Sequence, residues 1–200
     1  MNTTTPFHLK PLLLLIAALA TLVAAASLSG AMMKPPPQIV PILIWTPILA
    51  CMAAYWLKPN ARAYALAIPL PLVVIVQCIR APIGVWFLVQ GSTGALPQSL
   101  ASLAGWGDLA YGLASIVLLI TWKVASRSRA LLAVWNLAGL MEILAVNVTA
   151  MRLLLFSSEG ESMRKVMTSF PVVWIPLLLV PCVIGGHFLF FARLKAWERS

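Results

Sequence analysis

Six stretches of the chain are apolar for about the length at which an α-helix crosses a lipid bilayer: residues 10–29, 38–57, 64–90, 97–122, 130–155 and 170–192. The hydrocarbon core takes about 20 helical residues. Inside it, every backbone N–H and C=O must be met within the segment, which leaves helices as the form for such runs. The runs therefore predict an all-α membrane protein: a single transmembrane helical domain over residues 1–200, built as a bundle of six helices. Composition excludes the soluble alternative. The chain is 62% hydrophobic and 10% charged, whereas a soluble domain is about 45–50% apolar and about 25% charged. The expected partner is the lipid bilayer itself.

The breaks between runs are short. "MKPPPQ" and "LKPNAR" join proline to charge, "QGSTGALPQS" is polar with glycine and proline, and "WKVASRSR" is basic. "SSEGESMRKVMTS" is the one long polar stretch and reads as an outer loop. Prolines also fall within the runs and recur every five residues in the last, at Pro171, Pro176 and Pro181, which predicts bent helices. Lys and Arg divide nine against four between the two sides. Lys10, Lys58, Arg62, Lys123, Arg127, Arg129, Arg193, Lys195 and Arg199 lie on one, and Lys34, Arg152, Arg164 and Lys165 on the other. The excess marks the first side as cytoplasmic, so both termini are expected inside, in a bacterial inner membrane. A second reading of the first run is a cleaved signal peptide, with "AAAS" as the processing site, leaving five spans in the same orientation.

A net charge of +9 raises the question of nucleic acid. The basic residues are scattered in short clusters between apolar runs, as topology determinants are, and not gathered on one folded face, so no nucleic-acid partner is expected. Cys51, Cys78 and Cys182 lie in apolar runs without metal-ligand spacing. No HExxH pattern, phosphate loop, dinucleotide fingerprint or GxSxG motif occurs, so no catalytic motif and no metal is assigned. Haem held by two histidines would need His8 and His187 to face each other from one side of the membrane. No cofactor is expected.

Against this background "AGWGDLAYG", residues 104–112, stands out, because it sets the chain's one aspartate among glycines and aromatics in an apolar run. Asp108 and, on the next run, Glu142 both fall near the bilayer midplane, and Arg80 lies in the third run toward its outer half. An ionisable group at the centre of a lone helix costs about 2.5–3.5 kcal/mol on insertion scales, so such groups face inward and pair. The three are expected to meet. Gly105 and Gly107 would let a neighbouring helix come close to Asp108. Tyr111 follows at i+3 and Ser115 at i+7 on the same face, and Gln77 precedes Arg80 by one turn. Trp135 shares a face with Glu142, while Asn136 and Asn147 share a different one. One arginine against two carboxylates leaves a negative excess, which a proton on one carboxyl or a bound cation would remove. Asp108 reads as the better-placed partner for Arg80, and Glu142 as the acid left without an assured counter-charge. His187, beside Gly185 and Gly186 in the last run, is a further candidate.

The segments "LPQSLASLAGWGDLAYGLAS", "AVWNLAGLMEILAV" and "SFPVVWIPLLLVPCVIGGHFLFFARL" together resemble a family of small multi-pass bacterial membrane proteins. The pattern is LP, then AG-x-GD, then WN-x-x-GL-acid, then a proline-rich last span ending in histidine. Its positions here are Pro97, Gly105, Gly107, Asp108, Trp135, Asn136, Gly139, Glu142, Pro171, Pro176, Pro181 and His187, over about residues 75 to 193. The family more often has Asp at the position of Glu142. The resemblance implies a membrane fold and no particular substrate.

Three functions fit these features. The first is binding or transport of a small solute or proton through an intramembrane centre of Arg80, Asp108, Glu142 and His187, supported by Gln77, Gly105, Gly107, Tyr111, Trp135 and Asn136. The second is an intramembrane enzyme acting on a lipid-like substrate with the carboxylates as acid and base. The third is an accessory subunit whose buried charges specify assembly. The sequence selects neither the substrate nor the oligomeric state.

Overall fold

The computed structural model describes residues 9–197, and the regular structure there is entirely helical. His8, invoked above for haem, and Arg199, counted toward orientation, lie outside the described residues. Six helical stretches are long and apolar enough to cross a membrane. They are α1 (Leu9–Leu28), α2 (Ile39–Leu57), the consecutive pair α4 (Leu70–Cys78) and α5 (Arg80–Ser92), α6 (Gln98–Ile120), α8 (Arg129–Phe156), and a last stretch made of a π-turn (Ile175–Leu179) and α10 (Val180–Trp197). Shorter helices stand between them: α3 (Pro59–Ala67), α7 (Trp122–Ala125) and α9 (Gly160–Thr168). Large apolar side chains point outward along the long helices, for example Leu14, Leu22, Ile120 and Phe156. That exposure is costly in water and costless in lipid.

Contacts divide the chain into two compact units. The first comprises described residues up to Ile68 together with Leu153–Gly185. Here α1 and α2 both pack on the π-turn. The Trp174 indole donates to the Ala20 carbonyl at 3.0 Å, and the Ser27 hydroxyl to the Thr168 carbonyl at 2.7 Å. Two starting points differ from the sequence expectation. The third span begins at Leu70, not near residue 64, because Pro69 and Pro71 interrupt the run. Ile68, just before Pro69, is extended (φ −62°, ψ 125°), as a pre-proline residue prefers. The last span begins as a π-turn in which the Val180 N–H bonds the Ile175 carbonyl, five residues back, between Pro176 and Pro181. The polar stretch expected as a loop instead contains α9. Glu161 in its first turn and Lys165 in its last complement the helix dipole. Arg164 Nη1 and Nη2 donate to the carbonyls of Pro35 and Met33 at 2.9 and 2.8 Å, tying α9 to the segment between α1 and α2.

The second unit comprises Pro69–Arg152 and the chain from Gly186 onward. Both α4 and α5 pack along α6. The α5–α6 approach is backbone to backbone. A Cβ at Gly84 would meet the Leu109 N–H and the Gly105 carbonyl, and one at Gly112 would meet the Ala81 backbone. Small residues at such a seam let membrane helices gain van der Waals contact where no hydrophobic drive exists. The close approach therefore falls at Gly84, Gly105 and Gly112, a Cβ at Gly105 meeting the Leu88 side chain and the Gly84 carbonyl; Gly107 serves a different purpose, described next.

Candidate functional site

The break between α4 and α5 positions the arginine. Pro82 lacks the N–H that would bond the Cys78 carbonyl, and its ring crowds that carbonyl. The helix ends at Cys78 and restarts with Arg80, whose side chain is 1% exposed. From there Arg80 reaches both acids. Its Nε donates to Asp108 Oδ1 at 2.5 Å, and its Nη2 is in ion-pair contact with Glu142 Oε2. Nη1 makes a long contact, 3.5 Å, with the Gly139 carbonyl. Its guanidinium lies over the Tyr111 ring, 4.5 Å from the centroid. In a desolvated setting such a cation–π contact is worth about 2 kcal/mol. All these groups belong to the second unit.

The expected meeting of Arg80, Asp108 and Glu142 is thus what the geometry contains, with one correction. Glu142 does not lack a counter-charge: it shares Arg80 with Asp108. Gly107 is the reason. A side-chain carbon at Gly107 would overlap the Glu142 carboxylate, so the glycine supplies the space in which that carboxylate sits. The two acids are not equivalent. The Asp108 side chain is 6% exposed and that of Glu142 18%, but both Glu142 carboxylate oxygens are buried, so the extra exposure belongs to its methylene stem; what sets the acids apart is that Asp108 takes the Arg80 Nε hydrogen bond.

A second cluster adjoins the first. Trp135, Gly139 and Glu142 recur at i, i+4 and i+7 on α8 and share one face. Tyr111 from α6 fills the groove left at Gly139, where a Cβ would strike its phenol head, and stacks on Trp135 with centroids 5.3 Å apart. His187 from α10 is fully buried and lies 5.8 Å from the Tyr111 ring and 6.4 Å from the Trp135 ring. Asn136 holds it in place: its Nδ2 donates to the His187 carbonyl at 3.0 Å, and its Oδ1 faces His187 Nδ1 at 2.9 Å. The sequence put Asn136 and Asn147 on one face apart from Glu142. The structure separates them, since Asn147 bonds the Ile143 carbonyl of its own helix at 2.8 Å while Asn136 joins the histidine. Gln77 is buried beside Gly186. Ser115 only returns a hydrogen bond to the Tyr111 carbonyl.

Sequence reasoning missed Phe190, which packs against Trp135 at 5.1 Å. Its spacing of three from His187 was the available signal. Gly139 appeared only within the family pattern; its place one turn before Glu142 and one turn after Trp135 marks it as the floor of the site. Among the described residues no three metal-ligating side chains come together.

Six helices long and apolar enough to cross a membrane place the chain in the class of helical multi-pass membrane proteins. Within that class it belongs to the family described as a domain of unknown function (DUF8737), which matches residues 37–195. No curated protein and no solved structure matches it.

Proposed function

We propose that this is a bacterial inner-membrane protein that binds and moves a small solute or a proton through the Arg80–Asp108–Glu142 centre, with both termini on the cytoplasmic side. The observation that carries the reading is the charge count at that centre: one guanidinium is shared by two carboxylates. At an effective dielectric of about 20, unit charges about 4 Å apart interact by about 4 kcal/mol, against about 1 kcal/mol in water. An unmatched second carboxylate is therefore expensive there, and taking up one proton or one monovalent cation removes the excess. Arg80 and Asp108, joined by the Nε hydrogen bond, form the fixed pair, and Glu142, on the longer side chain, is the group that exchanges. The nine-to-four distribution of Lys and Arg supports the orientation.

The test is flux in proteoliposomes enclosing a pH-sensitive dye. An imposed pH gradient should dissipate faster with the protein than in empty vesicles, and Glu142→Gln should return the rate to that of empty vesicles. Equal rates for parent and empty vesicles, with sodium and potassium gradients also unaffected, would refute transport through this centre.

A further inference from the structure

The cluster beside the ionic centre contains three buried polar atoms with no hydrogen-bond partner among the described residues: Tyr111 Oη, Trp135 Nε1 and His187 Nε2. Their residues are 7%, 8% and 0% exposed. Groups buried to this degree are nearly always satisfied, because leaving one unmet costs about 1–3 kcal/mol. The rings that carry them pack against one another, with centroid separations of 5.3, 5.8 and 6.4 Å.

The donor and acceptor roles are fixed by the neighbours. Asn136 turns its amide hydrogens to the His187 carbonyl, so its oxygen is the atom facing Nδ1, and Nδ1 must carry the imidazole proton. In the neutral ring Nε2 is then a bare acceptor. Trp135 Nε1 can only donate, and the Tyr111 hydroxyl donates or accepts. A complementary group must accept from the indole and the phenol and donate to the imidazole. A hydroxyl offers both roles. Charge argues the same way. Two carboxylates against one guanidinium disfavour an anion nearby, and a cation would be drawn to those carboxylates and away from N–H and O–H donors. Phe190, tilted against Trp135, adds an apolar aromatic neighbour.

We infer that Tyr111, Trp135 and His187 form a binding site for the hydroxyl group of a neutral alcohol, held in register by Asn136. The inference deepens, and rests on, the solute-carrier reading above, in that it names the solute's chemical class. The hydroxyl can arrive from the bilayer, on a long-chain alcohol, or from water, on a polyol.

The test is nitrogen NMR of protein labelled with ¹⁵N-histidine in lipid nanodiscs, the His8 signals being assigned with His8→Gln. The probes are 1-dodecanol, glycerol and, as the charged control, dodecanoate. A saturable shift of His187 Nε2 with 1-dodecanol identifies the membrane source, and one with glycerol the aqueous source. Tyr111→Phe should weaken the response about tenfold, the equivalent of one hydrogen bond, with the Nδ1 signal unchanged. No shift with either alcohol, an equal shift with dodecanoate, or an undiminished response in Tyr111→Phe would overturn the inference. Glu142→Gln separates the two readings, since it leaves all three rings untouched. With both readings right, this variant keeps the shift and loses flux; a parent that binds the alcohol yet shows no flux upholds the site and refutes the carrier. Lost alcohol binding in a parent with intact flux refutes the site alone.

Discussion

Gly107 and Glu142 occupy one space: the carboxylate of the second lies where a side chain on the first would be. The glycine just before the aspartate in the most unusual stretch of the sequence is thus there for a residue on another helix. Gly107→Ala should push Glu142 off Arg80 while leaving the Arg80–Asp108 bond intact. Overpacking of this kind costs about 1–3 kcal/mol. Thermal unfolding in detergent should register that loss, and Gly107→Ala combined with Glu142→Ala should recover most of it. A Gly107→Ala protein as stable as the parent would mean that the carboxylate does not need the space.

Arg80 is the residue on which both acids depend. Arg80→Leu strands two buried carboxylates, and breaking a buried pair by removing one partner costs about 3–5 kcal/mol. The triple variant Arg80→Leu, Asp108→Asn, Glu142→Gln removes the charges together and should be markedly more stable than Arg80→Leu alone. Comparing the unfolding midpoints of the two decides the matter. If they coincide, the cost was packing and not charge.

Gly139 and Tyr111 make a second such pair. A methyl group at Gly139 would strike the phenol head, and the ring cannot simply turn aside because Trp135 is stacked on it and Arg80 lies over it. Gly139→Ala should destabilise by about 1–3 kcal/mol, and Tyr111→Leu in the same chain should relieve part of that. A double-mutant cycle reads the coupling directly; purely additive effects would contradict the contact.

The apolar runs carried most of the fold, because length and hydropathy are enough where the solvent is lipid. What they missed was local. The apolar pattern continues through Pro69 and Pro171, so the run overstated both spans, and α9 was hidden because a short charged helix has no apolar run to announce it. The three charges were legible from cost alone. So was the Arg80–Asp108 pair; the share of Glu142 in it was not, since Glu142 reaches Arg80 only through the space at Gly107, which no periodicity reveals. Asn136 failed for a related reason. It is six residues from Glu142, roughly 120° around a helix of 3.6 residues per turn, so a face argument sets it apart. The structure brings His187 to that side from α10.

Arg164 entered the sequence reading only as a topology charge, yet it is 6% exposed and bonds two carbonyls of the segment between α1 and α2. Arg164→Lys keeps the charge and loses the fork that spans Met33 and Pro35. It should lower stability by about 1–3 kcal/mol and make the 30–38 segment more open to proteolysis, with the second unit's Trp135–Tyr111 stack unaffected. Unchanged cleavage would show that the latch is dispensable.

The two acids should respond differently to neutralisation. Asp108 is the more buried and makes the short bond to Arg80 Nε, so Asp108→Asn replaces the arginine's best partner with a neutral amide. Glu142 shares the same guanidinium through Nη2, so Glu142→Gln removes the surplus negative charge and leaves the Nε pair in place. Removing a charge that is in excess is stabilising or neutral; removing one that is matched leaves its partner exposed to the full cost of burial. Asp108→Asn should therefore lower the unfolding midpoint clearly. Glu142→Gln should leave it near that of the parent while abolishing pH-driven flux. Infrared difference spectra between acidic and neutral buffer should show a protonated-carboxyl band in the parent that Glu142→Gln removes and Asp108→Asn retains. A band that survives Glu142→Gln would move the exchanging proton to Asp108. Its absence from the parent, with flux driven by sodium or potassium instead, would make the exchanging charge a metal cation.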